Sequence, residues 1–166
     1  PKEYVSGESF TYLGRNYRLK LIPNGNEEVK LKGGYLELGV PKTLSEAGRL
    51  SYVKTALIKW YQEHALERLT EKSKRYGRIL GVNPKSITLK EYKSRWGSCS
   101  DSGKISYNWR IIIAPHRFVD YVVVHELCHM LEHNHSPEYW RNVKNIIPEY
   151  KKHRQWLKEN GVGLFV

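Results

Sequence analysis

The sequence predicts an α+β fold: N-terminal antiparallel hairpins, a long helix, a small mixed sheet and C-terminal helices. Three observations carry that expectation. Apolar residues alternate with period two over the first forty residues. From Ser45 they recur every three or four residues. Strand-like spacing then returns over Ser86–Pro115 before helical spacing resumes.

Each element follows from local chemistry. FTYLGRNYRLKLI (Phe10–Ile22) alternates on either side of Gly14-Arg15-Asn16 and reads as a hairpin. EVKLKGGYLELGV (Glu28–Val40) repeats the pattern about Gly33-Gly34, a tight-turn pair. A small antiparallel sheet is therefore expected first. Leu50, Val53, Leu57, Trp60, Tyr61, Ala65 and Leu69 then trace one face of a helix, with Ser45 as N-cap and Gly77 and Gly81 loosening its end. Lys59, Arg68, Lys72, Lys74, Arg75 and Arg78 crowd the second half of that helix. Such a run is first a solvated face and second a phosphate-binding one. Asp101–Lys104 is a turn between two extended segments. Pro115 suits the first position of a helix expected to run to about His133. Ser136-Pro137-Glu138 opens the next helix as N-cap and N1 proline, and Gly161 ends a last one carrying Trp156 and Leu157. A boundary near Pro41–Ser45 divides a hairpin lobe, residues 1–42, from a domain over residues 43–166, the two expected to form one compact unit.

Composition narrows the classes of function. Lys plus Arg total 28 against 17 Asp plus Glu, so the net charge of +11 favours nucleic acid, acidic substrates or anionic surfaces as partners. No apolar run reaches the length of a membrane span, and no basic-then-apolar leader opens the sequence. Cys99 and Cys128 form neither a zinc-type pair nor a disulfide framework. A reducing, cytoplasmic setting is expected.

The chemistry concentrates in VVVHELCHMLEHNHSPEYW (Val122–Trp140), which holds four of the seven histidines. His125-Glu126-Leu127-Cys128-His129 is an H-E-x-x-H pentad. Residues i and i+4 share a helical face, so two imidazoles can grip one metal while Glu126 serves as general base. The run FVDYVVV before it suits a buried helix. His133 lies about 12 Å from His125 along a continuous helix, too far to share one ion. His135 escapes that limit if Asn134 takes a left-handed C′ position and turns the chain back. Glu132, Glu138 and Glu149 remain alternative carboxylate ligands, Glu138 foremost. Arg95, Tyr107, Arg110 and Tyr139 are candidates for substrate or oxyanion contacts. Trp96 is expected in the core or against the site helix, Gly97 to permit close backbone approach, and Arg95 to pair with Glu126 or Glu132. The cysteines are either redox-sensitive ligands or, more commonly, small buried hydrophobes.

SRWGSCS (Ser94–Ser100), NWR (Asn108–Arg110), Ala114-Pro115, DYVVVHELCHM and NHSPEYW occur in order with close spacing. Together they resemble the YgjP-like metallopeptidase family, within the broad zincin group that includes SprT-like proteins. YVSGESFTYLGRNYRLKL (Tyr4–Leu21) resembles that family's N-terminal segment, so the likeness covers nearly the whole chain. The resemblance implies a zincin-like metallohydrolase domain over residues 43–166. One Zn2+ would be held by His125, His129 and His135, with Glu126 catalytic. It also implies, by analogy, a peptide-binding edge strand within Lys104–Ile113. The i, i+4, i+10 spacing matches metzincins as well, but Glu132 stands where their glycine would be and the lone Met130 offers no Met-turn.

The expected function is zinc-dependent hydrolysis of a peptide or protein by a metal-activated water. Two alternatives stand beside it. One is a metal-dependent nucleotide phosphohydrolase, acting as a nucleoside triphosphate pyrophosphatase, although no G-x-x-x-x-G-K-[ST] loop is present. The other is a DNA-associated protein-processing module that uses the basic surface.

Overall fold

The computed structural model describes residues 1–166. Four strands form from the N-terminal alternation: β1 (Ser9–Tyr12), β2 (Arg15–Pro23), β3 (Lys30–Lys32) and β4 (Tyr35–Val40). The first turn falls one residue earlier than the sequence suggests. Leu13 and Gly14 both have positive φ, 50° and 80°, and Tyr12 pairs with Arg15. That is the mirror-image two-residue turn that matches strand twist. Within each hairpin the pairing is antiparallel, but the sheet as a whole is mixed. Its order is β1-β2-β4-β3, with β2 and β4 parallel. The chain reaches the far edge through residues 24–29, which cross over β4. Gly39 N–H donates to the Asn26 carbonyl there, and a Cβ at Gly39 would lie 2.0 Å from the Gly25 backbone. Alternation reports which face is buried, not the direction of the neighbouring strand.

Helix α1 (Glu46–Leu80) begins where expected, with the Ser45 hydroxyl accepting from Gly48 N–H. It ends on Gly81 in the left-handed conformation. The face from Val53 to Leu69 is buried. Within the basic run, Lys72 is also buried, and its ammonium donates to Asp120 Oδ1 at 2.6 Å and lies 3.0 Å from His116 Nδ1. This network clamps α1 to α2 (His116–Cys128). Removing one partner of a buried pair strands the other charge. Asp120→Ala is therefore expected to destabilise the protein toward the lower end of about 3–5 kcal/mol, because His116 still accepts from Lys72. Replacing both residues by Lys72→Met and Asp120→Leu should recover most of that loss. Denaturant unfolding of the single and double variants measures both. An Asp120→Ala protein as stable as wild type would show that the pair is solvated.

The second sheet has β5 (Ser86–Lys90), β6 (Gly97–Cys99) and β7 (Lys104–Asn108), in the order β5-β7-β6. The expected substrate edge within Lys104–Ile113 is therefore corrected: β7 is the central strand, parallel to β5 and antiparallel to β6. The free edge next to α2 belongs to β6. Strand structure also stops at Asn108, whose side chain accepts from Arg110 N–H and caps a 3₁₀ turn over Trp109–Ile113. Ile111, Ile112 and Ile113 are all buried. An all-apolar run carries no alternation, so strand and buried turn read alike.

Helix α2 ends at Cys128, sooner than the expected His133. Its last turn tightens, with His129 donating to Glu126, Met130 to Leu127 and Leu131 to Cys128, each an i→i+3 bond. Asn134 does not take a positive φ; only Tyr4, Leu13 and Asn24 among non-glycine residues do. Helices α3 (Pro137–Ile146) and α4 (Tyr150–Asn160) complete the chain, α3 capped by the Ser136 hydroxyl and α4 stopped at Gly161. One buried cluster runs from Phe10 and Leu36 through Leu57 to Ile105, Val123 and Leu157. The β1–β2 turn docks on the 3₁₀ turn that precedes α2, where Leu13 and Gly14 N–H donate to the Ile112 and Ile113 carbonyls.

Candidate metal centre

Burial of Val122, Val123 and Val124 anchors α2 against the core, so its final turn is rigid where His125 and Glu126 emerge. His129 follows one turn on. Because the helix stops there, the chain doubles back over six residues, and His135 returns to face His129. Their Nε2 atoms lie 3.1 Å apart. One ligating nitrogen from each of His125, His129 and His135 lies within 4.8 Å of the others. Two nitrogens on one tetrahedral zinc, each bonded at about 2.0–2.1 Å, sit about 3.3 Å apart. The donor set thus fits a single ion in both spacing and chemistry.

The rings are held from behind. His129 Nδ1–H donates to the Glu132 carbonyl at 3.1 Å, which leaves Nε2 as the lone-pair nitrogen. Tyr139 lies flat on His129, with centroids 4.4 Å apart, and meets His135 edge-on at 5.0 Å. Its hydroxyl donates to the His125 carbonyl at 2.7 Å. Trp140 stacks on His135 at 5.5 Å and on Tyr150 at 5.0 Å. Burial, then the neighbouring His129 and His135, lowers His125 to about 3. Burial also lowers His129. Both imidazoles are neutral at ordinary pH, the form that binds a metal.

Glu126 packs against β6 at Gly97 and shares the cleft with His125. It is 5% exposed, and burial pushes its carboxyl up to about 8 against the opposing charge of Arg95. A bound cation acts in the opposite direction, toward the carboxylate. Gly97 is what lets Glu126 sit there, since a Cβ at that position would lie 2.8 Å from Oε2. His125 and Glu126 open onto a cleft of about 670 Å³ between β6, the loop before it, α4 and residues 161–165.

The remaining candidates separate by position. Tyr107 does not reach the cleft: it is fully buried, with its hydroxyl 2.8 Å from Ser73 Oγ on α1. Tyr139 donates its hydroxyl to the His125 carbonyl, and its ring packs on His129 and His135. Arg95 lines the cleft without the expected ion pair to Glu126 or Glu132. Arg110 lines it too, bonded to Glu91 at 2.6 Å. His133 turns outward, 3.5 Å from Asp101 Oδ1. Glu138 is exposed on the first turn of α3, and Glu149 pairs with Lys152 at 2.7 Å. Burial raises the Cys99 thiol to about 11 and the Cys128 thiol to about 12, so neither offers a thiolate at neutral pH. Arg68, Lys72, Lys74, Arg75 and Arg78 of the basic run line a separate groove that shares no residue with the cleft, and Asp120 lies within ion-pair reach of both Lys72 and Arg75. Sequence reasoning missed Arg154, and no local pattern ties α4 to His125. It also left Trp140 without a role, although an aromatic four residues after Ser136 and beside Tyr139 is a usable sign of ring support.

A search of curated proteins finds no match. Among solved structures the chain is similar to the metallopeptidase zymogen abylysin of Pyrococcus abyssi, at 22% identity and a TM-score of 0.49, over 54% of this chain and 93% of that one. The model of the YgjP-like metallopeptidase domain matches residues 1–160. Both the N-terminal sheet and the histidine centre fall inside that span, and on it the chain belongs to the YgjP-like metallopeptidase-domain family.

Proposed function

We propose that the protein is a zinc peptidase that cleaves an extended peptide segment laid along β6. The observation that carries this reading is the convergence of three imidazoles beside a buried carboxylate that faces an open sheet edge. Asn108 N–H donates to the Trp96 carbonyl and Ser100 N–H to the Lys104 carbonyl. By antiparallel alternation, residues 96, 98 and 100 turn toward β7, and Gly97 and Cys99 offer their N–H and C=O groups to the free edge. A substrate strand added there passes directly over Glu126.

His125, His129 and His135 would hold the ion. When bound, zinc supplies a Lewis acid that polarises a carbonyl and acidifies water. Glu126 takes the proton from the attacking water on its carboxylate and returns it to the departing amine. Arg95 lines the cleft wall and would meet developing negative charge.

Metal removal tests the centre. Protein stripped by a chelator is expected to take up one zinc per chain, and His135→Ala to lose it. Zinc at about 1,000 times its Kd stabilises the fold by about 4 kcal/mol, read as a thermal shift. A chain that binds no metal, or a zinc-loaded chain that cleaves no member of a broad peptide library, would rule the proposal out.

A further inference from the structure

We infer that the cleft selects acidic substrate segments: peptides carrying carboxylate side chains, set beside apolar ones, next to the bond that is cut. The inference rests on the peptidase reading and concerns the walls of the same site. Five cations line the cleft, and the only carboxylate among its lining residues is the buried Glu126. One cation, Arg110, is bonded to Glu91. The other four, Lys93, Arg95, Arg154 and Lys158, are exposed and make no ion pair.

Their placement is as informative as their number. Lys93 and Arg95 come from the loop that leads into β6, so they flank one end of the edge offered to substrate. Arg154 and Lys158 stand at i and i+4 on one face of α4 and form a second wall. The Arg154 guanidinium lies 4.8 Å over the Trp140 ring, which itself stacks on His135. Charge of one sign is thus brought within one ring of the ligands. In a concave site with low-dielectric walls, such charge is focused onto whatever enters. Between these walls Val162 and Phe165 line the cleft at 91% and 52% exposure, an apolar surface that suits neighbouring non-polar side chains. A lysine-rich segment would meet four uncompensated like charges, so the site repels as well as attracts.

The test uses zinc-loaded full-length protein and three peptides that differ only in flanking Glu, Gln or Lys residues. At low salt, kcat/KM is expected to fall from the acidic to the lysine peptide by about 10- to 100-fold, and the spread to shrink as ionic strength rises. The double variant Lys93→Glu, Lys158→Glu should compress or invert that order. Its far-UV circular dichroism and zinc content report folding, and Lys93→Gln, Lys158→Gln replaces it if either is lost. Equal rates on all three peptides, or an order unmoved by either double variant, overturns the inference and leaves the peptidase reading standing. If wild type cleaves none of them, binding to Glu126→Gln decides. Tightest binding of the acidic peptide keeps the charge preference and sinks peptide hydrolysis; absence of preference sinks both. Release of phosphate or pyrophosphate from a nucleoside triphosphate, with every peptide left intact, assigns the anion to a nucleotide and overturns the peptide form of the inference.

Discussion

Glu126→Gln is expected to keep its full metal content and to lose about 10²- to 10⁴-fold in peptide hydrolysis, the usual worth of a positioned proton carrier. The metal-ligand set consists of the three imidazoles alone, and the Glu126 side chain packs against Gly97. Gln matches the shape and cannot accept the proton. A second consequence concerns metal-free protein. Burial holds the Glu126 carboxyl up to about 8, above its ordinary 4.5, so the folded state retains a proton that the unfolded state has released. Stability then falls as pH rises through that window. His125 and His129 act oppositely, because their folded-state values lie below 6.5 and the unfolded chain binds the extra protons. Those slopes overlap below pH 6.5, so the carboxyl is isolated between about pH 6.5 and pH 8. There the stripped wild type should lose stability with rising pH while stripped Glu126→Gln stays level. Denaturant midpoints across that range check it. Equal hydrolysis by the two metal-loaded proteins would remove Glu126 from the chemistry.

How much of this was legible in the sequence depends on the range of the interaction concerned. Helix α1 was legible almost to the residue, because a seven-member apolar stripe and two caps are local signals. So was the start of α3, where Ser136 and Pro137 each have a single stereochemical role. The end of α2 was misplaced by several residues: the sequence holds no glycine there, and the helix is closed by i→i+3 bonds that no residue type announces. His133 is kept from the ion not by rise along a continuous helix but by the chain reversal itself, which turns it outward toward Asp101. Parallel pairing of β2 with β4, the central position of β7 and the approach of α4 to His125 are contacts between distant segments. Periodicity carries no trace of them. Tyr107 and Tyr139 qualify as oxyanion candidates by residue type alone, and only packing reveals that both hydroxyls are already engaged.

Gly97→Ala is the sharpest expected loss outside the ligands and the base. The added Cβ would stand 2.8 Å from Glu126 Oε2, 2.9 Å from its Cγ and 3.0 Å from the Ser106 carbonyl. Contacts that close force a displacement. The Ser106 backbone belongs to β7 and is held in the ladder, so the Glu126 side chain is what gives way. Moving a reacting group by about 1 Å costs about 10²-fold in rate. The same methyl also stands where a substrate strand would approach, so kcat and KM should both worsen. Gly97 has no positive φ, so alanine is stereochemically allowed there and the backbone need not change. Metal content should stay at one zinc per chain, since the three atoms nearest the new methyl belong to Glu126 and Ser106 and not to a histidine. Loss of activity with metal and fold retained separates a displaced base from a damaged centre. Wild-type kcat/KM in Gly97→Ala would mean that Glu126 does not work from the position it occupies against β6.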